Sequence, residues 1–199
     1  MTTPERRIQT LLRRAGTARS RELVAAGISR SQLSRMVAAG QLVRVARGLY
    51  ALPDYQSGEH GALVTVAKRA PGVLFCLLTA LRFHELTTQA PFEVWIAIGN
   101  KEHPPRLDYP PLRTVRFSEA ALKAGVETHK VDGTRVRVTG VAKTVADCFK
   151  FRNKIGLDVA LEALREARRT KKASVDELWQ YARLNRVANV MRPYLEALA

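Results

Sequence analysis

Ser29-Arg-Ser-Gln-Leu-Ser-Arg-Met-Val-Ala-Ala-Gly40, followed at once by Gln41-Leu-Val-Arg-Val-Ala-Arg-Gly-Leu-Tyr50, is the stretch from which the fold of this chain can be read. Ser29 and Gln32 stand three apart. The serine hydroxyl can therefore accept from the N–H of Gln32 while the glutamine amide reaches back to the serine N–H, a capping box that starts a helix. Gly40 ends it. Upstream, Ser20 to Ala26 predicts a second short helix with Leu23 and Val24 inward and Gly27 as its stop. Pro4, the stripe Ile8, Leu11, Leu12 and the stop at Gly16 predict a first. Helix, tight glycine turn and helix is helix-turn-helix spacing. Leu42 to Tyr50 then reads as two short strands around Ala46-Arg47-Gly48, and a hairpin in that place makes the unit a winged helix-turn-helix.

At 100° per residue, Leu33, Met36 and Val37 gather on one side of the capped helix. Ser31, Arg35 and Ala38 lie opposite, with Gln32 and Ser34 on the flanks. A small, polar face with one long cationic donor suits a helix entering the major groove, where arginine bonds guanine O6 and N7. Arg30 stands at the helix start, beside free N–H groups that hold phosphate. Arg44 and Arg47 place charge on the hairpin, against the backbone or in the minor groove. The candidate DNA-binding residues are thus Arg30, Ser31, Gln32, Ser34, Arg35, Arg44 and Arg47. Each has a bland counterpart. A lone exposed arginine on a small helix is ordinarily solvated, Gln32 is already claimed by its capping box, and Arg13 and Arg14 read equally as surface charge. What favours DNA is the agreement of spacing, face and charge.

That charge is high throughout. The 199 residues hold 33 Lys+Arg against 18 Asp+Glu, a net +15. The first 55 alone carry ten arginines, no lysine and three acids. Such a balance in a chain that is 46% hydrophobic excludes wholesale disorder and favours a polyanionic partner. The longest apolar run, Val73 to Leu78, is far below the roughly 20 residues of a spanning helix, and Met1 to Arg7 does not lead into a signal-peptide core. Cys76 and Cys148 lie far apart, which reads as two buried thiols in a reducing cytoplasm.

Turn residues accumulate at Leu52-Pro-Asp-Tyr-Gln-Ser-Gly58, dividing the chain into residues 1–55 and 56–199. In the second part Gly61 to Ala70 continues as a helix, and Pro71-Gly72 breaks the chain before the apolar stretch Val73 to His84. Phe92 to Ile98 and Thr114 to Phe117 are rich in β-formers. Asp132-Gly133 between Val126–Val131 and Thr134–Val138 is a hairpin signal. From Val141 the period turns helical, Ser174 to Glu177 forms a second capping box, and Pro193 interrupts or restarts the last helix. The fold class is α+β: a winged helix-turn-helix, then a larger α+β domain with a small sheet and a helical C-terminal tail.

Little chemistry shows in that larger part. No Asp or Glu has Lys two positions later, as a restriction-type nuclease needs, and no Gly-Ser turn precedes a D-x-D, as a nucleotidyltransferase needs. Phosphate-binding glycine motifs are missing, and His60, His84, His103 and His129 lack zinc-ligand spacing. His84 reads as structural or exposed and Cys148 as a buried thiol. Two basic clusters remain. Arg165, Arg168, Arg169, Lys171 and Lys172 alternate with Glu162 and Glu166, which favours a solvated face. Lys143, Lys150, Arg152 and Lys154 form the other, and either could extend a DNA footprint or meet a partner. No cofactor, metal or catalytic residue is expected.

Leu23-Val-Ala-Ala-Gly-Ile-Ser29, Leu33, Met36-Val37 and Gly40 to Pro53 closely resemble the N-terminal winged helix of the AbiEi family, antitoxins of type IV toxin–antitoxin systems. Leu77 to Pro91, Val94-Trp-Ile-Ala-Ile98 and Lys143-Thr-Val-Ala-Asp-Cys-Phe-Lys-Phe-Arg-Asn-Lys-Ile-Gly-Leu-Asp158 are similar to that family too, the last being the most specific. The resemblance implies a cytoplasmic, non-enzymatic repressor of its own operon, beside a nucleotidyltransferase-like toxin opposed without a stable complex. Double-stranded operator DNA with inverted repeats, and self-association upon it, are the expected partners, because bacterial operators are usually read as paired half-sites. Two alternatives stay open: a DNA-targeted nuclease-like enzyme, and an interaction module that neutralises a toxin by direct binding.

Overall fold

The structure, a computed structural model, describes residues 4–55 and 58–197. Gln56 and Ser57 of the expected boundary, and Met1 to Thr3 of the N-terminal stretch read against a signal-peptide core, lie outside the described residues. The fold is mixed α+β with two small sheets, and the chain divides into two compact units.

The first unit runs to Pro71 and takes in Arg106–Pro110 and Lys130–Arg135. It begins with α1 (Pro4–Ala15), β1 (Thr17–Arg19), α2 (Ser20–Ala25) and α3 (Arg30–Ala38). The strands β2 (Val43–Ala46) and β3 (Leu49–Ala51) follow, then α4 (Gly61–Arg69). Ile8 and Leu12 of α1, one turn apart, are buried with Ala18, Leu23, Ile28, Leu33 and Leu42 in a small core. Gly16, at φ +67°, lets the chain reverse after α1 with the ring of Tyr55 filling the space a side chain would need. The three strands make one antiparallel sheet in the order β1-β3-β2, with Thr17 and Val43 both opposite Ala51. β1 was not expected. Three residues between two helices carry no period, and Thr17–Arg19 becomes a strand only because β3 offers it a partner. Val24 is also not inward. It is 41% exposed, because a six-residue helix turns one side to the core and Leu23 occupies it.

The division into compact units falls after α4, at Pro71. Its physical basis is at the end of α4. Lys68 Nζ donates to Ala15 O at 2.8 Å, to Thr17 Oγ1 at 2.7 Å and to Thr17 O, placing a cation on the last carbonyl of α1 and on the first residue of β1. Burial pushes the Lys68 ammonium below its usual range.

The second unit comprises Gly72–Pro105, Pro111–His129 and the residues from Val136 onward. A five-stranded sheet, of which all but the tip of the last hairpin belongs to this unit, has the order β6-β5-β4-β8-β7. These strands are β4 (Leu74–Phe75), β5 (Val94–Gly99), β6 (Leu112–Phe117), β7 (Val126–Val131) and β8 (Thr134–Thr139). β5 runs antiparallel to β4 and parallel to β6, while β4 and β8 are parallel. The apolar stretch from Val73 splits into β4 and α5 (Leu77–Phe83). A short α6 (Glu119–Lys123) follows β6, capped by Ser118, whose hydroxyl accepts from Ala121 N–H at 3.4 Å. Then come α7 (Val141–Lys150), α8 (Arg152–Ile155), α9 (Leu157–Arg169), α10 (Val175–Leu184) and α11 (Ala188–Glu196). Pro193 neither interrupts nor restarts α11. The helix runs through it, held by the buried Met191 and Leu195 on its inner side. α7 is buried from Ala142 to Phe149 and packs against α5, α9, α10 and α11.

Candidate nucleic-acid interface

Ser29 caps α3 with both arms of the box in place: Ser29 Oγ accepts from Gln32 N–H at 3.2 Å, and Gln32 Oε1 accepts from Ser29 N–H at 2.9 Å. Ser31 Oγ lies 2.9 Å from Ser29 Oγ, and Ser34 Oγ donates to Arg30 O at 3.2 Å. The small polar residues of this helix therefore satisfy much of their hydrogen-bonding locally, which fixes its start and leaves its two arginines as its cationic donors. Arg30 and Arg35 are both exposed, and among the described residues neither side chain has a hydrogen-bond or ion-pair partner. Arg35 and Gln32 are among the residues lining a groove of about 480 Å³, with Pro4 and Glu5.

Arg44, on β2, and Arg47, in the turn to β3, are exposed as well. The same unit carries further guanidinium groups. Arg6, Arg7, Arg13 and Arg14 are exposed on α1. Arg19 has its pKa lowered, first by burial and then by the neighbouring charges of Arg21 and Arg69. Groups that repel one another gain from an anion set among them. The structure brings the seven expected residues onto two consecutive elements, α3 and the β2–β3 hairpin, of the same unit.

The second unit departs from expectation at Lys143. This side chain does not belong to a basic surface: it is fully buried, with Nζ 2.5 and 2.6 Å from the two carboxylate oxygens of Asp147. Asp147 Oδ1 also accepts from Asn185 Nδ2 at 2.7 Å, and the ammonium sits 4.5 Å from the centre of the Phe117 ring. Burial pushes the Asp147 carboxyl up, and Lys143 and Asn185 pull it back. Lys143 and Asp147 are a turn apart, so the pairing was readable as an i,i+4 contact; that it faces inward was not. Lys150 Nζ reaches Asn185 O at 3.4 Å and Arg152 donates to Phe149 O at 2.9 Å, so these cations also serve the helix packing.

The other cluster is an exposed face, with Arg169 bonded to Glu166 at 2.5 Å and Lys172 to His84 O at 2.7 Å. His84 Nε2 lies 2.8 Å from Thr139 O, and burial holds its imidazole below the usual range. Cys76 and Cys148 are buried, unpaired thiols pushed well up by desolvation, which makes them poor nucleophiles. Among the described residues no group of three or more His, Cys, Asp or Glu is placed to hold a metal ion. No helix among them is long and apolar enough to cross a membrane.

Residues 6–53 match the sequence model of a family described as transcriptional regulator, AbiEi antitoxin. The expected resemblance is met over this segment, which holds α3 and the hairpin and supports an antitoxin-regulator role. No protein of curated function matches the chain. Among solved structures, the RV2827C protein from Mycobacterium tuberculosis is similar over 100% of this chain and 81% of its own, with a TM-score of 0.61 at 14% identity. At that identity the likeness is one of fold.

Proposed function

We propose that this AbiEi-type segment is a winged helix-turn-helix that reads double-stranded DNA, and that the chain is a cytoplasmic, non-enzymatic repressor of its own operon. In this reading α3 enters the major groove with Arg35 at the base edges, flanked by Ser31, Gln32 and Ser34. Arg30 holds phosphate at the helix start, and Arg44 and Arg47 carry the hairpin against the backbone or minor groove. The reading element is residues 1–55. Residues 56–199 form the antitoxin half, which opposes a nucleotidyltransferase-like toxin of a type IV system without a stable complex. The operator has paired half-sites, and neighbouring copies associate on it.

The observation that carries this reading is the coincidence of the family match with two exposed, unpartnered arginines on a firmly capped helix. It is tested by titrating variants against the chain's own promoter and a scrambled duplex at several salt concentrations. Arg35→Ala should cost about 1–3 kcal/mol on the promoter and little on scrambled DNA, as a lost base contact does. Arg47→Ala should weaken both alike and make the log–log salt slope shallower by about one. An unchanged promoter-to-scrambled ratio for Arg35→Ala removes α3 as the reading helix.

A further inference from the structure

The turn that carries Arg47 is held from outside the hairpin. It has two residues, Arg47 and Gly48, closed by the pair Ala46 and Leu49. Gly48 adopts φ +71°, which a side chain would resist. Its carbonyl accepts from Ser20 N–H at 3.0 Å and Ser20 Oγ at 3.3 Å, at the first residue of α2. The carbonyl of Arg47 accepts from the Arg69 guanidinium, at the last residue of α4. A methyl group built on Gly48 would lie 3.2 Å from Ser20 Oγ and 3.4 Å from Arg69 Nη1, so the turn packs directly on both. Arg69 is itself anchored, because its neighbour Lys68 is tied to Ala15 and Thr17.

We infer that Arg69 is a positioning residue for DNA binding: it does not touch DNA but holds the turn so that Arg47 projects in its bound geometry. This rests on the DNA-binding reading above. Three short strands and a two-residue turn would by themselves leave the hairpin tip loose, and a loose tip loses ordering entropy each time it binds. Three donors on two consecutive carbonyls remove that cost in advance. The arrangement also explains why a helix beyond the family-matched segment packs as part of the N-terminal unit.

Two rivals make different forecasts. If Arg69 contacts phosphate directly, its loss and that of Arg47 are independent. If it serves only the stability of the unit, its loss leaves DNA binding by the folded protein alone. The test is a double-mutant cycle on the full chain, with Arg47→Ala, Arg69→Gln and the double variant titrated against promoter duplex from low to moderate salt. Hydrogen exchange at Gly48 and Leu49 is followed in parallel. The expected result is that Arg69→Gln weakens binding several-fold and flattens the salt slope by about 0.9, as Arg47→Ala does, while the double variant is no worse than either. Exchange at the turn should quicken while α3 stays protected. Ser20→Ala, which removes a single donor, should shift affinity and exchange in the same direction by less, and replaces Arg69→Gln should that variant unfold. Losses that multiply, with a slope flattened about twice as far, would overturn the inference, as would an Arg69→Gln protein that binds like the parent. In both cases the DNA-binding reading survives. A parent chain that binds no duplex sinks that reading, and the inference with it.

Discussion

The buried pair in α7 permits a quantitative test, because both charges are withdrawn from water. The side chains of Lys143 and Asp147 are 0% and 1% exposed, and the only other polar contact to the carboxylate is Asn185 among the described residues. Asp147→Asn keeps the volume and the contact with Asn185 but leaves a buried ammonium without an opposite charge, answered only by an amide oxygen and the Phe117 face. Breaking a buried pair in this way costs about 3–5 kcal/mol, a third or more of the roughly 5–15 kcal/mol a domain has in total. Lys143→Met leaves the converse, a carboxylate in a site where burial already favours protonation. The double replacement Lys143→Met with Asp147→Leu removes both charges. Its cost should be smaller than either single change, about 1–3 kcal/mol for the orphaned Asn185 amide.

The assay is equilibrium urea unfolding followed by tryptophan fluorescence. Both tryptophans of the chain, Trp95 and Trp179, lie in the second unit, so the signal reports that unit alone. The pH dependence carries a sign as well. In Lys143→Met the folded carboxyl is raised above its unfolded value, so its contribution is present below about pH 4 and is lost as pH rises through the folded value. That variant should therefore gain stability on moving from neutral to mildly acidic pH. A single Asp147→Asn change costing under about 1 kcal/mol, or a double replacement costing more than either single change, would refute the argument.

Two further outcomes follow from other sites. Burial lowers the His84 pKa, so His84 contributes stability that is present above its unfolded value near pH 6.5 and is lost as pH falls through the lower folded value. His84→Gln should flatten the fluorescence-monitored stability profile between about pH 7 and 5, and an unchanged profile would remove the imidazole as its source. In the first unit, Ser29→Ala removes the α3 cap and should cost about 1 kcal/mol, measured as faster exchange of the α3 amides. Equal protection with and without the hydroxyl would show that tertiary packing alone holds the helix start.

What could be read from the chain by itself was what is decided within a few residues. The Ser29 and Ser174 capping boxes are closed by contacts three residues apart, and both are present. Asp132-Gly133 sets its hairpin because both residues take the positive φ, +45° and +72°, that such a turn needs. The exposure of Arg30, Arg35, Arg44 and Arg47 followed from helix phase and from the turn. What only the tertiary structure decided depends on partners far along the sequence. β1 and β4, of three and two residues, exist because β3, β5 and β8 offer hydrogen bonds to them. Val24 is left outside because one inward position is all that α2 supplies. Arg69 acquires a role only where α4 meets the turn of a hairpin 22 residues earlier. Lys143 shows the reason most plainly. Spacing can say that Lys143 and Asp147 face the same way, but which way is settled by the helices that pack over them. Burial is a property of the neighbours, and the neighbours are chosen by the fold as a whole.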